Sequence, residues 1–361
     1  MAVLRSSTKG GGTAATGEKH QTKHESPKRK RTKTKEDETA RESESKSDEK
    51  FEKKSDESEG SPKAPKEEKN GDLDDAVKPS REPGMPSNAM EKGIVYFFIR
   101  GRVNTDEPEG VNDIARSYML LRPIPKDARL GEGPIGDSGN TRVLVLPKKT
   151  FPTSPKDRFM AFVDMSKASY QDLKDDFLAS SEYATKTVGT RHIPHPTPIA
   201  EGVYSIISTG RESHFAYMLT LPQELDEVQE KLGLKRQGSF IISTKNPKYP
   251  GPANARLPKG PEFPKNVLEE FRDLRWMPSK PSHLSYVNAQ ILLIGEKSGI
   301  EKATEPQDEE QKEGKDNKEV LENLAEDDLE RMQHLGGDES ESIIADLHVQ
   351  AKDYPALQTT F

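Results

Sequence analysis

At Ile94-Val95-Tyr96-Phe97-Phe98-Ile99 the sequence changes character within a single step. Before it, residues 36–84 hold only Phe51, Leu73 and Val77 as large apolar side chains. A segment that poor in apolar surface cannot offset the entropy of its own ordering. Residues 1–90 therefore read as a disordered tail, basic and then acidic. Residues 1–35 carry ten Lys+Arg against two Asp+Glu, and residues 36–90 carry ten against seventeen. The Pro-rich stretch from Lys78 to Pro86 reads as the hinge into a folded body.

That body spans 91–296, about 206 residues, enough for one domain with a core. Runs of β-branched and aromatic residues bounded by turn residues predict strands. They fall at Ile94–Arg100, Ser117–Leu121, Arg142–Leu146, Arg158–Val163, Val203–Ile207, His214–Leu221, Ser239–Ser243 and Gln290–Ile294. The link 208–213 is short and turn-rich, which predicts an antiparallel hairpin from the fifth and sixth of these runs. Phe215, Tyr217, Leu219 and Leu221 would then share one face. Three stretches have helical period instead. One follows a capping box at Ser169. One opens at Pro222 and stops at Gly233. The third opens at Pro264. Helices scattered singly among hairpin-like strands do not make a doubly wound parallel sheet. The expected class is α+β: a single mostly antiparallel sheet, barrel-like in one form, with three short helices, flanked by disordered tails.

Residues 297–361 carry 7 Lys+Arg against 18 Asp+Glu. They read as an acidic, mostly disordered tail with one amphipathic helix over 319–335, where Val320, Leu321, Leu324, Leu329, Met332 and Leu335 recur at near-helical spacing. Such a helix either folds on a protein partner or docks on its own domain. Ser342–Ala351 is a weaker second helix.

Several chemistries are excluded or disfavoured. The chain has no cysteine, which removes disulfides, thiolate zinc sites and a cysteine nucleophile. No run approaches the roughly 20 apolar residues of a membrane helix. Gly131-Glu132-Gly133-Pro134-Ile135-Gly136 matches the dinucleotide fingerprint by letter. However, Pro134 removes an amide and a turn follows where a helix is required. His192 and His195 have ligand-like spacing, but Pro194 and Pro196 forbid the helix that would align them. No cofactor and no metal is expected, no nucleophile signature is present, and the balance leans against an enzyme.

The clearest functional signal is Pro27-Lys28-Arg29-Lys30-Arg31-Thr32-Lys33. Lys28, Arg29, Lys30, Arg31 and Lys33 form an accessible cationic cluster of the kind import receptors read. It can also meet nucleic-acid phosphates without sequence preference. Ser26 precedes Pro27 in the form of a proline-directed phosphorylation site; phosphate there would weaken the cluster. A second candidate is basic and polar: Lys186, Arg191, Arg211, His214, Lys245 and Asn246 lie at or near strand ends, where they could gather an anion. Ordinary solvated strand-end charges are the commoner arrangement. Glu201 and Glu212 nearby could act as acid, base or ion-pair partners.

Four stretches are distinctive. They are Lys92 to Asn104, Thr185-Lys186-Thr187-Val188-Gly189-Thr190-Arg191, Thr209-Gly210-Arg211-Glu212-Ser213-His214 and Ser243-Thr244-Lys245-Asn246-Pro247. Together they resemble a family of filamentous-fungal proteins often labelled "BTB domain transcription factor". The resemblance covers roughly 91–296, and it implies a nuclear, transcription-associated role. No zinc finger, basic zipper or helix-turn-helix is visible. The expectation is a non-catalytic nuclear interaction protein, with the cytoplasm as the alternative location. Its partners would be an import receptor at 27–33 and an unidentified protein at the acidic helix, with no membrane. The rival reading is a small-anion-binding protein or enzyme with a basic, histidine-containing pocket in 91–296.

Overall fold

A computed structural model describes residues 76–79, 86–186, 189–251, 257–305, 316–335 and 339–361. All belong to one unit, 68–361. Lys28, Arg29, Lys30, Arg31, Lys33 and Ser26 lie outside the described residues. The strands are β1 Val77–Pro79, β2 Ala89–Gly101, β3 Ile114–Ile124, β4 Ala128–Leu130, β5 Thr141–Leu146, β6 Arg158–Ala168, β7 Ser181–Thr185, β8 Gly189–Ile193, β9 Pro196–Ser208, β10 Ser213–Leu221, β11 Gln237–Lys245, β12 Trp276–Pro278 and β13 Gln290–Gly295. The α-helices are α1 Tyr170–Asp172, α2 Glu227–Leu232, α3 Lys265–Glu270, α4 Glu301–Thr304, α5 Asn317–Leu335 and α6 Glu339–Asp346.

Eight strands, in the order β10-β9-β2-β3-β5-β6-β13-β11, close into an antiparallel barrel because β10 also pairs with β11. These are the eight strands expected from the apolar runs. The expected hairpin is β9–β10, with Tyr217 opposite Tyr204. Pleating alternates side chains between the two faces. On β2, Val95, Phe97 and Ile99 point into the barrel, whereas Ile94, Tyr96 and Phe98 point out. Both faces are buried, so this strand reads as a continuous apolar run rather than an alternating one.

The interior is filled by side chains. Phe97 packs on Phe151 at 5.2 Å and on Tyr217 at 5.4 Å, and Phe215 stacks on Tyr204 at 5.0 Å. Gly202 lets two strands approach: a Cβ there would meet the Met218 carbonyl oxygen at 2.1 Å. A bulge between Leu219 and Leu221 shifts the register on β10. As a result Leu221 joins the outer cluster, not the inner face expected for it.

Helices and turns close the ends. At one end α2 inserts Val228 and Leu232. Its start differs from expectation: Asp226 caps it through a capping box, four residues beyond Pro222, while Gly233 ends it in the left-handed region at φ 83° as expected. α1 follows the predicted Ser169 capping box and continues as a π turn over Leu173–Phe177. α3 starts after Pro264.

At the other end, Glu91 and Arg142 pair at 2.7 Å and Tyr204 donates to Glu91 at 2.8 Å. A 3-10 turn over Pro281–Ser285 lies over this mouth, with His283 stacked on Phe271 at 5.6 Å. His283 is fully buried. Its Nδ1 accepts from the Lys280 amide at 3.2 Å and faces the Thr244 hydroxyl at 3.0 Å; its Nε2 has no hydrogen-bond partner among the described residues, with Glu270 Oε2 3.9 Å away. Burial lowers its pKa from 6.5 to about 4. In the unfolded chain the ring therefore takes up its proton first. The contribution of this ring to stability should fall as pH drops from about 6.5 to about 4 and level off below, by roughly 3 kcal/mol. Urea titrations of the parent and of His283→Gln across that window check this. The variant should lose most of the acid-side slope.

Two boundaries differ from the sequence reading. Ala76 and β1 join the folded unit through pairing with β4, so order begins before residue 91. The segment after 296, expected as mostly disordered, contains α4, α5 and α6. Ile300 before α4, and Ala303, Leu321, Leu324, Met332 and Ile343 on the helices, pack on the outer face of the barrel. The amphipathic helix expected over 319–335 is α5, and it lies against β9 and β10 of its own domain. Strands β1, β4, β7, β8 and β12 were not anticipated; each has three to five residues, too few for a pattern to show.

Candidate functional site

The apolar stripe of α5 is interrupted by two charges. Asp328 and Arg331 occupy positions that helical period assigns to the buried face, and they are 0% and 1% exposed. Arg331 donates to Asp328 at 2.6 Å and to Glu201 of β9 at 3.1 Å, and it also binds Asp346 of α6. Asp346 in turn accepts from Arg122 of β3 at 2.9 Å and from the hydroxyl of Tyr96 on β2. It takes a fourth donor from the Ile135 amide at 3.1 Å. Thr220 of β10 donates to Asp328 at 2.7 Å. Arg122 continues to the Ile135 carbonyl at 2.7 Å and to the hydroxyl of Tyr170. Four barrel strands, the loop 131–136 and both C-terminal helices thus meet in one hydrogen-bonded cluster without water-exposed charge.

Its electrostatics follow from burial and neighbours. Burial raises the Glu201 carboxyl well above its ordinary value, and the adjacent Asp328 carboxylate adds to this against the pull of Arg331. Burial likewise raises Asp328, with Arg331 opposing. For Asp346 burial works upward, but Arg331 and Arg122 together hold it below the usual carboxylate range. Tyr96 is pushed well up by burial and by Asp346. Two guanidinium groups, of Arg122 and Arg331, thus face three carboxyls, and burial favours the neutral form at Glu201 and at Asp328. Glu201 Oε2 has no hydrogen-bond partner among the described residues. A charge pair this deep contributes modest net stability but makes the docking geometry specific, because any other register strands a buried charge. Two hollows flank α5: one of about 420 Å³ lined by Lys78, Glu132, Asp327, Glu330 and His334, and one of about 330 Å³ lined by Thr220, Arg236, Glu322 and Leu329.

The basic residues singled out from the sequence do not gather. Lys186 is exposed at the turn of the β7–β8 hairpin, and Arg191 lies on β8. Arg211 is exposed in the β9–β10 turn. His214 is fully buried on the outer face of β10, where it bonds Glu296 at 2.8 Å. Glu296 also accepts from Ser239 at 2.7 Å, and its carboxyl is held low by these bonds against burial. Lys245 donates to the carbonyls of Asn246 and Tyr249, and Asn246 donates to the Leu274 carbonyl at 2.9 Å, so both order the loop after β11. Only the adjacent pair Lys245 and Asn246 are brought together. Of the two carboxylates noted in the sequence, Glu212 sits 3.2 Å from Lys302 and Glu201 belongs to the buried cluster. The other members of the cluster were missed. The signal for them was the placement of Asp328 and Arg331 in an otherwise apolar stripe.

No family model, curated protein or solved structure matches this chain.

Proposed function

We propose that this chain is a non-catalytic interaction protein of the nucleus, associated with transcription, that works through its surface. The observation that carries this reading is the barrel interior, occupied from end to end by Phe97, Phe151, Phe215, Tyr217 and Phe240. A barrel packed in this way is a rigid support, and recognition falls to its outer face and rims. The scattered positions of Lys186, Arg191 and Arg211, with His214 buried against Glu296, agree better with separate surface charges than with a common anion pocket. The cluster at Lys28, Arg29, Lys30, Arg31 and Lys33 supplies the nuclear address.

The test is proximity labelling with the full chain fused to a labelling enzyme, beside a version with those five residues changed to alanine. The parent should label a defined set of nuclear proteins, and the variant should lose most of that set. A pattern equal to that of the unfused enzyme would overturn the interaction reading. An unchanged pattern in the variant would overturn the nuclear address.

A further inference from the structure

Burial separates two kinds of strand in the barrel. β9 and β10 are buried on both faces, because α4, α5 and α6 lie over them. β13 and β11 instead alternate buried with half-buried residues. Ile291, Leu293, Phe240 and Ile242 fill the barrel, so Leu292, Ile294 and Ile241 point outward. Register sets Ile294 between Ile241 of β11 and Arg158 of β6, and Leu292 beside Met160 of β6. Met160, Leu292, Ile294 and Ile241 are all half-buried and adjoin along and across the strands. The outward face of an uncovered antiparallel wall is ordinarily polar. Four adjoining apolar side chains on such a face mark an interaction surface.

The patch is the floor of a shallow trough. Phe162, Gln290 and Lys245 are buried along one side of it, and Glu296 and Ser239 along the other. The floor spans three strands, about 10 Å at the usual strand spacing. β13 pairs with β6 on one side and with β11 on the other, so an incoming chain finds no free ladder on this strand. The occupant must satisfy its own main chain, which a helix does, and two turns of helix cover such a floor. The two longest α-helices among the described residues, α5 and α6, are already packed on the other wall through Leu321, Leu324 and Ile343. The helix therefore comes from another protein. Charge decides its character. Arg158 stands at the β6 end of the trough, Lys156 two residues before it, and Lys297 just beyond β13. All three are exposed, and among the described residues none has a carboxylate within ion-pair distance. Of the acids nearest in sequence, Glu296 is engaged by His214 and Ser239, and Asp157 by Thr153 and Ser154. Glu301 lies beyond ion-pair distance of all three cations.

We infer that the trough over Ile241, Leu292 and Ile294 is the docking site of an acidic amphipathic helix from a partner protein, its apolar stripe on this floor and its carboxylates at Arg158, Lys156 and Lys297. This rests on the reading of the chain as an interaction protein and names the chemistry of one partner. Apolar residues three and four apart in the helix meet the floor, and acids on the flanking positions meet the cations. Opposite charge at the rim speeds encounter and fixes the orientation of the helix.

Photo-crosslinking tests this on the full chain, in the cells that make it. The photo-reactive p-benzoylphenylalanine replaces Leu292 in one sample and Ile241 in a second, and Glu319, exposed on α5, is the control position. The crosslinked peptides are then sequenced by mass spectrometry. Both trough positions should capture the same segment of one other protein, at least tenfold above the control. That segment should carry apolar residues three and four apart and an excess of Asp and Glu. The double variant Arg158→Glu, Lys297→Glu, with both changes on the surface, should lower the yield at least fivefold. No capture above the control would overturn the proposal. So would capture of a second copy of this chain, of a basic segment, or of one without the apolar spacing, and so would a yield indifferent to the charge reversal. Nuclear labelling by the full chain would still stand in each event, so failure here is distinct from failure of the interaction reading.

Discussion

Replacing Arg331 by methionine is expected to destabilise the domain by about 3–5 kcal/mol, the usual cost of leaving a buried charge without its partner. Arg331 is the hub of the cluster: it binds Asp328 and Asp346 of the two C-terminal helices and Glu201 of the barrel wall. Methionine fills similar volume, so packing of the stem is largely kept. What changes is the balance. Arg122 remains against Asp346, and Asp328 is left as an uncompensated buried carboxylate. Adding Asp328→Asn should therefore recover a large part of the loss, since the amide oxygen can still accept from Thr220. A urea midpoint within experimental error of the parent for Arg331→Met, or no recovery in the pair, would show that the charges do not hold the helices. Domains of this size have total stabilities of about 5–15 kcal/mol, so the expected loss is a large part of what is available.

The second large effect is expected at Gly202 of β9, which faces the main chain of β10. A Cβ at this position would lie 2.1 Å from the Met218 carbonyl oxygen and 2.7 Å from the Leu219 Cα. Both obstacles are main chain, so no rotamer change relieves them. Gly202→Ala must spread the two strands or break their ladder, at roughly 3 kcal/mol or more. Gly110 is the control: its φ of 177° is extended, and nothing lies within 4 Å of a Cβ there. Gly110→Ala should stay within about 0.5 kcal/mol. Thermal unfolding of the two variants separates the cases. Equal melting temperatures would contradict the close approach.

The eight barrel strands were legible because each is long and apolar enough to announce itself, and because the helices outside turn alternation into solid apolar runs. The barrel's order was not legible. It depends on β13, late in the chain, pairing with β6, and on β11 closing against β10. Such pairings leave no local trace. The helix at α5 was visible from its period, but its place was open between a partner and its own domain. What decides for its own domain is a match of charges across 130 residues, Arg331 to Glu201, and across 224, Arg122 to Asp346. Leu221 was misplaced because a bulge flips the pleat after Leu219. The basic residues near strand ends were identified correctly as a type, but type does not determine direction: His214 turns to Glu296 and Lys245 to its own loop. Asp328 and Arg331 were readable in principle, since a charge in an apolar stripe has to find a partner or unfold the helix.

Hydrogen exchange on the full chain tests the central claim most directly, that the C-terminal helices are an integral, charge-pinned wall of the barrel. Amides of 317–335 and 340–346 should exchange as slowly as those of β9 and β10, and Arg331→Met should release the helical amides while leaving the amides of β2 and β3 protected. Free exchange of 317–346 in the parent, beside a protected barrel, would contradict it.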